Sequence, residues 1–116
     1  MNVRDTLITA LTPLGYEVRL QGSYADDAPL PESFITYTVV DAPDGSFYDG
    51  KPTLTHHRIQ IVFYSKKMSL INTVPDLIYQ ALKTAGFERD GKGRDYGYEV
   101  EHYGLLVNYL FTERNE

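Results

Sequence analysis

Cysteine is absent from this 116-residue chain, and so is tryptophan. The first absence excludes disulfides, thiolate nucleophiles and cysteine metal ligands, and is compatible with a reducing compartment. No apolar run approaches the ~20 residues that span a bilayer. Met1–Leu11 carries charge and lacks the apolar centre of a signal peptide, so the chain is expected in the cytoplasm or in a soluble particle. A basic excess is missing too. Eleven Lys and Arg against sixteen Asp and Glu give a formal charge of -5, which disfavours tight nonspecific binding to nucleic acid or anionic membrane. Neither a Gly-x-Gly-x-x-Gly fingerprint nor a Gly-Lys-Ser/Thr phosphate loop follows any strand-like segment.

The residues that are present describe an ordinary globular chain, 42% apolar and 23% charged. Its length suits one domain over residues 1–116 that buries about two thirds of its unfolded surface. Ten tyrosines and five phenylalanines are the unusual count. Tyrosine suits surfaces that are part wet and part buried, as subunit contacts are, and it also suits strands in general.

The stretch His56–Ser65 organises the rest. Ile59, Ile61 and Phe63 alternate with Arg58, Gln60, Val62 and Tyr64, the period of a strand, and the second set is itself half apolar. A strand covered on both faces belongs inside a sheet. Phe34–Ala42 has the same two-sided character, with Phe34, Thr36, Thr38 and Val40 against Ile35, Tyr37 and Val39, and is expected to pair antiparallel with it. Tyr16–Leu20 reads as a shorter strand. Gly22–Glu32, with Pro29 and Pro31, reads as a loop.

Two helices are expected. Val3, Leu7, Ile8 and Leu11 recur at helical spacing over Asn2–Thr12, with Asn2 and Asp5 as a capping pair and Pro13 and Gly15 as the stop. The second carries Leu70, Val74, Leu77, Ile78, Ala81, Leu82 and Ala85 on one stripe and closes at Gly86. Its start is Leu70 or Thr73. Pro75 favours the later one, because proline suits a first turn, with Thr73 and Asp76 as a capping box. After it, Phe87–Arg89 reads as a short strand, Asp90–Asp95 as a tight turn or small loop, and Tyr96–Thr112 as extended chain that Gly104 bends or divides into Tyr98–Tyr103 and Leu105–Phe111, giving either two strands or one bent strand. The order is α-β-β-β-α-β-β. The fold class is α+β, a mostly antiparallel sheet with two helices packed on one face.

Chemistry-bearing residues are scattered. Asp90-Gly91-Lys92-Gly93-Arg94 joins glycine to basic side chains, yet no helix N-terminus follows it to hold a phosphate. His56 and His57 are neighbours and face opposite ways on a strand. A metal site would need His102 to reach one of them, with Glu99 or Glu101 adding oxygen. Asp26, Asp27, Asp41, Asp44 and Asp49 sit mostly in turn contexts. Ser23, Ser33, Ser46, Ser65 and Ser69 lack a nucleophile elbow. The expectation is no enzyme: no catalytic residue, no cofactor and no metal.

The segment Pro43–Thr53 stands apart. Asp44-Gly45 and Asp49-Gly50 are efficient turn formers, and eleven residues are long for a simple hairpin, so an arm is expected with extended chain near Ser46–Tyr48. Phe47 and Tyr48 lie between the turns, either folded back on the domain or used against a partner.

Taken in order, Leu30-Pro31 before Phe34-Ile35-Thr36-Tyr37, then Asp49-Gly50, His57–Ser65, the helix ending Ala85-Gly86-Phe87, and Tyr98-Glu99 before His102-Tyr103 and a last apolar strand resemble the small tail-completion, or tail-terminator, proteins of long-tailed bacteriophages and prophages. The pattern spans nearly the whole chain. The resemblance implies an α+β subunit that forms a homo-oligomeric ring, typically hexameric, at the head-proximal end of the tail. Such a ring ends tail-tube growth and offers a surface to the head. Partners would be further copies, the tail-tube protein and the head-tail connector protein, with DNA only passing through the lumen and no membrane. The location would be the virion tail, and the bacterial host cytoplasm during assembly. The arm would carry the contacts, with Phe47 and Tyr48 as anchors and Asp49 and Gly50 shaping the loop. A head-tail connector or other minor tail role is the neighbouring alternative, and a small binding module outside any virion is a further one.

Overall fold

The computed structural model describes residues 3–21, 31–43, 47–48, 51–52, 54–99 and 102–114. The elements are α1 (Val3–Leu11), a 3-10 turn (Thr12–Leu14), β1 (Glu17–Leu20), β2 (Ser33–Pro43), β3 (Phe47–Tyr48), β4 (Lys51–Pro52), β5 (Leu54–Ser65), α2 (Met68–Thr84), β6 (Glu88–Glu99) and β7 (His102–Arg114). The fold is α+β in the expected order α-β-β-β-α-β-β, with the β3–β4 hairpin added between the second and third strands of the main sheet.

The five main strands lie in the order β1-β2-β5-β7-β6, so β5 is central. Its alternation explains why. Ile59, Ile61 and Phe63 are buried with both helices, while Val62 and Tyr64 are buried on the other face with Phe34 and Leu106. β2 and β7 pair with β5 antiparallel, from Ser33↔Ser65 to Pro43↔Thr55 and from Leu54↔Arg114 to Ser65↔Tyr103. The one parallel pair is β1 with β2. β1 also starts one residue later than its alternation suggests, and its Leu20 is 44% exposed, because an edge strand has only one neighbour to cover it.

Both helices pack on the same face. Val3, Leu7 and Leu11 of α1 and Ile71, Val74, Ile78 and Leu82 of α2 share one cluster with Ile35, Tyr37, Ile59, Ile61, Phe63, Val107 and Tyr109. α2 begins at Met68, earlier than Leu70 or Thr73. Pro75 is therefore its eighth residue, not a first-turn residue. A proline there removes the bond to the Ile71 carbonyl. Burial of Ile71 and Val74 on either side of that lost bond compensates for it. The helix phase shifts accordingly: Ile71 takes the buried position, and Leu77 is 52% exposed. Thr73 does not cap. Its hydroxyl donates to the Ser69 carbonyl at 3.0 Å, one turn back. The far end closes as expected, with Gly86 N–H donating to Lys83 O (3.1 Å) and Phe87 N–H to Leu82 O (2.9 Å).

The largest departure is in the C-terminal third. Asp90–Asp95 is not a turn but part of the twelve-residue β6, and the chain reverses between Glu99 and His102 instead. Gly104 does not divide the last segment either. It is buried within the thirteen-residue β7, paired with Tyr64 on one side and Gly97 on the other. Turn-forming residues were absorbed into a strand because the irregular pairing of β6 gives their unusual backbone a place.

Candidate functional site

The two helices lie side by side on their face, α2 against β5, β7 and β6. α1 lies toward β2, where the Arg4 guanidinium sits 5.9 Å from the Tyr37 ring. Beyond α2 the face opens into a groove of about 350 Å³, walled by Met68, Ile71, Asn72, Pro75 and Asp76 of α2 and by Arg89, Leu105, Val107 and Tyr109 of the sheet. A second hollow, of about 360 Å³, adjoins it and is lined by Tyr79, Lys83, Phe87, Glu88, Arg89 and Gly91. Arg89 stands between the two. Its guanidinium lies 4.3 Å from the Tyr79 ring centre, and the Lys83 ammonium lies 5.8 Å from the same ring. The first groove can thus receive an apolar side chain and present one guanidinium beside it.

Tyr109 lines the first groove and is 1% exposed. Burial pushes its hydroxyl up from 10.0 to about 12, opposed by Arg89 and reinforced by Tyr79 and Asp76. The folded state therefore holds the neutral phenol while the unfolded chain ionises near pH 10. Stability from this group is complete below pH 10 and falls as pH rises toward 12, by about 2–3 kcal/mol in all. Urea unfolding of the native chain and of Tyr109→Phe between pH 9 and 11.5 should show this slope only in the native chain. Equal slopes would remove Tyr109 as its source.

The histidines do not converge. His57 and His56 pair opposite Phe111 and Thr112, whereas His102 opens β7 at the other end. Nine residues of strand separate them, about 30 Å. Register thus keeps His102 away from His56 and His57, the approach a metal site would have needed. Each has a local role. His102, 2% exposed, donates from Nε2 to the Pro31 carbonyl at 2.8 Å and meets the Phe34 ring edge-on at 5.3 Å. His57 packs against Phe111 at 6.2 Å, and His56 Nδ1 lies 3.0 Å from Thr112 Oγ1. Ser65 is fully buried: its hydroxyl accepts from Lys67 N–H (3.0 Å) and meets Ser33 Oγ (2.9 Å). Among the described residues no three His, Asp or Glu side chains gather as a metal site, and no helix is long and apolar enough to cross a membrane.

Of the expected interface residues, Phe47 and Tyr48 form β3, paired with Pro52 and Lys51. Asp49 and Gly50 lie outside the described residues. In the chain this hairpin lies between the Pro43 end of β2 and the Leu54 start of β5. That is the Leu54↔Arg114 end of the sheet, while the groove lies along Leu105–Tyr109. Arg89, Tyr79 and Tyr109 carry no motif. Only the pairing of Arg89 with Tyr109 across β6 and β7 assembles them.

No protein-family model matches the chain, and no curated protein matches it.

Proposed function

We propose that this chain is a structural virion assembly protein, a ring-forming tail terminator at the head-proximal end of a bacteriophage tail. In this reading it acts without catalysis: copies close into a ring, the ring stops tail-tube growth, and its outer side receives the head-tail connector. The observation that carries the reading is the ladder leading to the hairpin. Beyond Val39↔Ile59, β2 and β5 stay paired for four more residues, Val40↔Arg58 to Pro43↔Thr55, and the β3–β4 hairpin with Phe47 and Tyr48 follows. There β7 stays paired with β5 as far as Leu54↔Arg114, and a three-stranded extension leading into a hairpin that contains two aromatic residues is suited to reach a neighbouring subunit, where a few aromatic anchors supply most of the binding energy. A head-to-tail contact of this kind joins two different patches, and such contacts close into rings when the rotation allows. The element order and the segments quoted from the sequence support the same reading.

The test is electron microscopy of the protein mixed with its candidate tail-tube protein, together with the mass of each alone. The expected result is rings capping one end of tubes of limited length. The double variant Phe47→Ala/Tyr48→Ala should keep the native circular dichroism spectrum and lose capping. Tubes of unchanged length without bound density would end the terminator reading, and binding to the head-tail connector protein alone would replace it with the connector role.

A further inference from the structure

Among the described residues β6 is an outer strand and the longer edge of the sheet, twelve residues against four in β1. A long free edge offers a row of unpaired N–H and C=O groups to any extended chain, and the most abundant such chain is a second copy. The β6 edge is not a straight row, however. It pairs with β7 in three short runs, Glu88–Asp90, Arg94–Asp95 and Gly97–Glu99. Gly91, Lys92 and Gly93 stand opposite the single Val107, and Tyr96 has no residue opposite it. Without Gly91, Lys92 and Tyr96, nine residues of β6 would face the nine of His102–Leu110 in an unbroken ladder. The backbone departs from extended geometry inside the first irregularity, with φ of 92° at Gly91 and 86° at Gly93. Bulges of this kind bend a strand and raise its twist. An incoming strand would find no run of regular edge longer than three residues.

We infer that the two irregularities in β6 close this edge to a second copy of the chain. Copies therefore do not associate by continuing the sheet through β6. The inference stands independently of the ring reading.

The experiment removes Gly91, Lys92 and Tyr96 together and compares the straightened chain with the native one by sedimentation velocity over a range of concentrations. Amide hydrogen exchange across residues 88–99 is measured on both. The expected result is a shift of the straightened chain toward dimers and larger species as concentration rises, with slowed exchange in β6. In the native chain, β6 exchange should not change with concentration. A straightened chain that folds and keeps the native mass distribution would overturn the inference. So would native β6 amides that become protected as the native chain associates. If the straightened chain fails to fold, the native exchange measurement decides: concentration-independent exchange supports the inference and concentration-dependent protection overturns it.

Discussion

Phe63→Ala is expected to lower the unfolding free energy by about 3–5 kcal/mol, measured by urea denaturation. Phe63 lies near the C-terminal end of the central strand, 1% exposed, and meets the Tyr16 ring edge-on at 5.3 Å. It is held from several directions: α2 above, β2 and β7 on either side, and the chain entering β1 through Tyr16. Such a site cannot collapse onto a void. A small space of about 10 Å³ already lies between Phe63, Ile61, Pro75, Ile78 and Tyr109, so truncation would enlarge an existing defect under the helix. Against a total stability of about 5–15 kcal/mol, the variant would be close to unfolded at the lower end. Leu77→Ala is the comparison. It removes an apolar side chain from α2 itself, one that is 52% exposed, and should cost about 0.5 kcal/mol or less beyond helix propensity. Comparable losses from the two would mean that Phe63 does not anchor the core.

Gly93→Ala should be the second large effect, about 2–5 kcal/mol. Two penalties add there. The backbone has φ of 86°, where an L side chain costs about 1–2 kcal/mol. A Cβ would also stand 2.7 Å from Val107 Cγ2 and 3.1 Å from the Leu106 carbonyl oxygen. Gly15 separates the two terms. Its φ of 87° is nearly the same, but nothing lies within 4 Å of its Cβ position, so Gly15→Ala should show the backbone cost alone. Adding Val107→Ala to Gly93→Ala removes the closest collision, and the double-mutant cycle should then report favourable coupling. Equal losses at Gly15 and Gly93 would show that β6 yields at the bulge without strain.

These two positions differ in how far the sequence exposed them. Phe63 was legible as a core residue, because alternation with Ile59 and Ile61 marks one face of a strand, and the apolar Val62 and Tyr64 mark the other. Nothing beyond period and residue type was needed to place β5 inside a sheet. Gly93 was misread, since Asp-Gly and Gly-Arg steps form turns in most local contexts. Local preference decides a conformation only when no stronger partner is offered, and here β7 offers one from His102 to Leu110. The start of α2 failed for a similar reason: Pro75 disfavours a helix interior by a few kcal/mol, and the burial of Ile71, Val74 and Ile78 outweighs it.

The candidate residues divide in the same way. Phe47 and Tyr48 could be singled out because aromatic residues between two turn formers are unusual in a local window. The groove around Arg89 could not, since its members come from α2, β6 and β7 and none is marked by spacing. By itself the sequence determined the kinds and order of the elements, the two-faced central strand and the absence of thiol chemistry, because periodicity and composition act within a few residues. Only the tertiary structure decided the parallel β1 pair, the bulged β6 edge, the separation of His57 from His102 and the groove at Tyr109. Register and edge position arise from competition among strands distant in sequence, and no local pattern encodes the outcome of that competition.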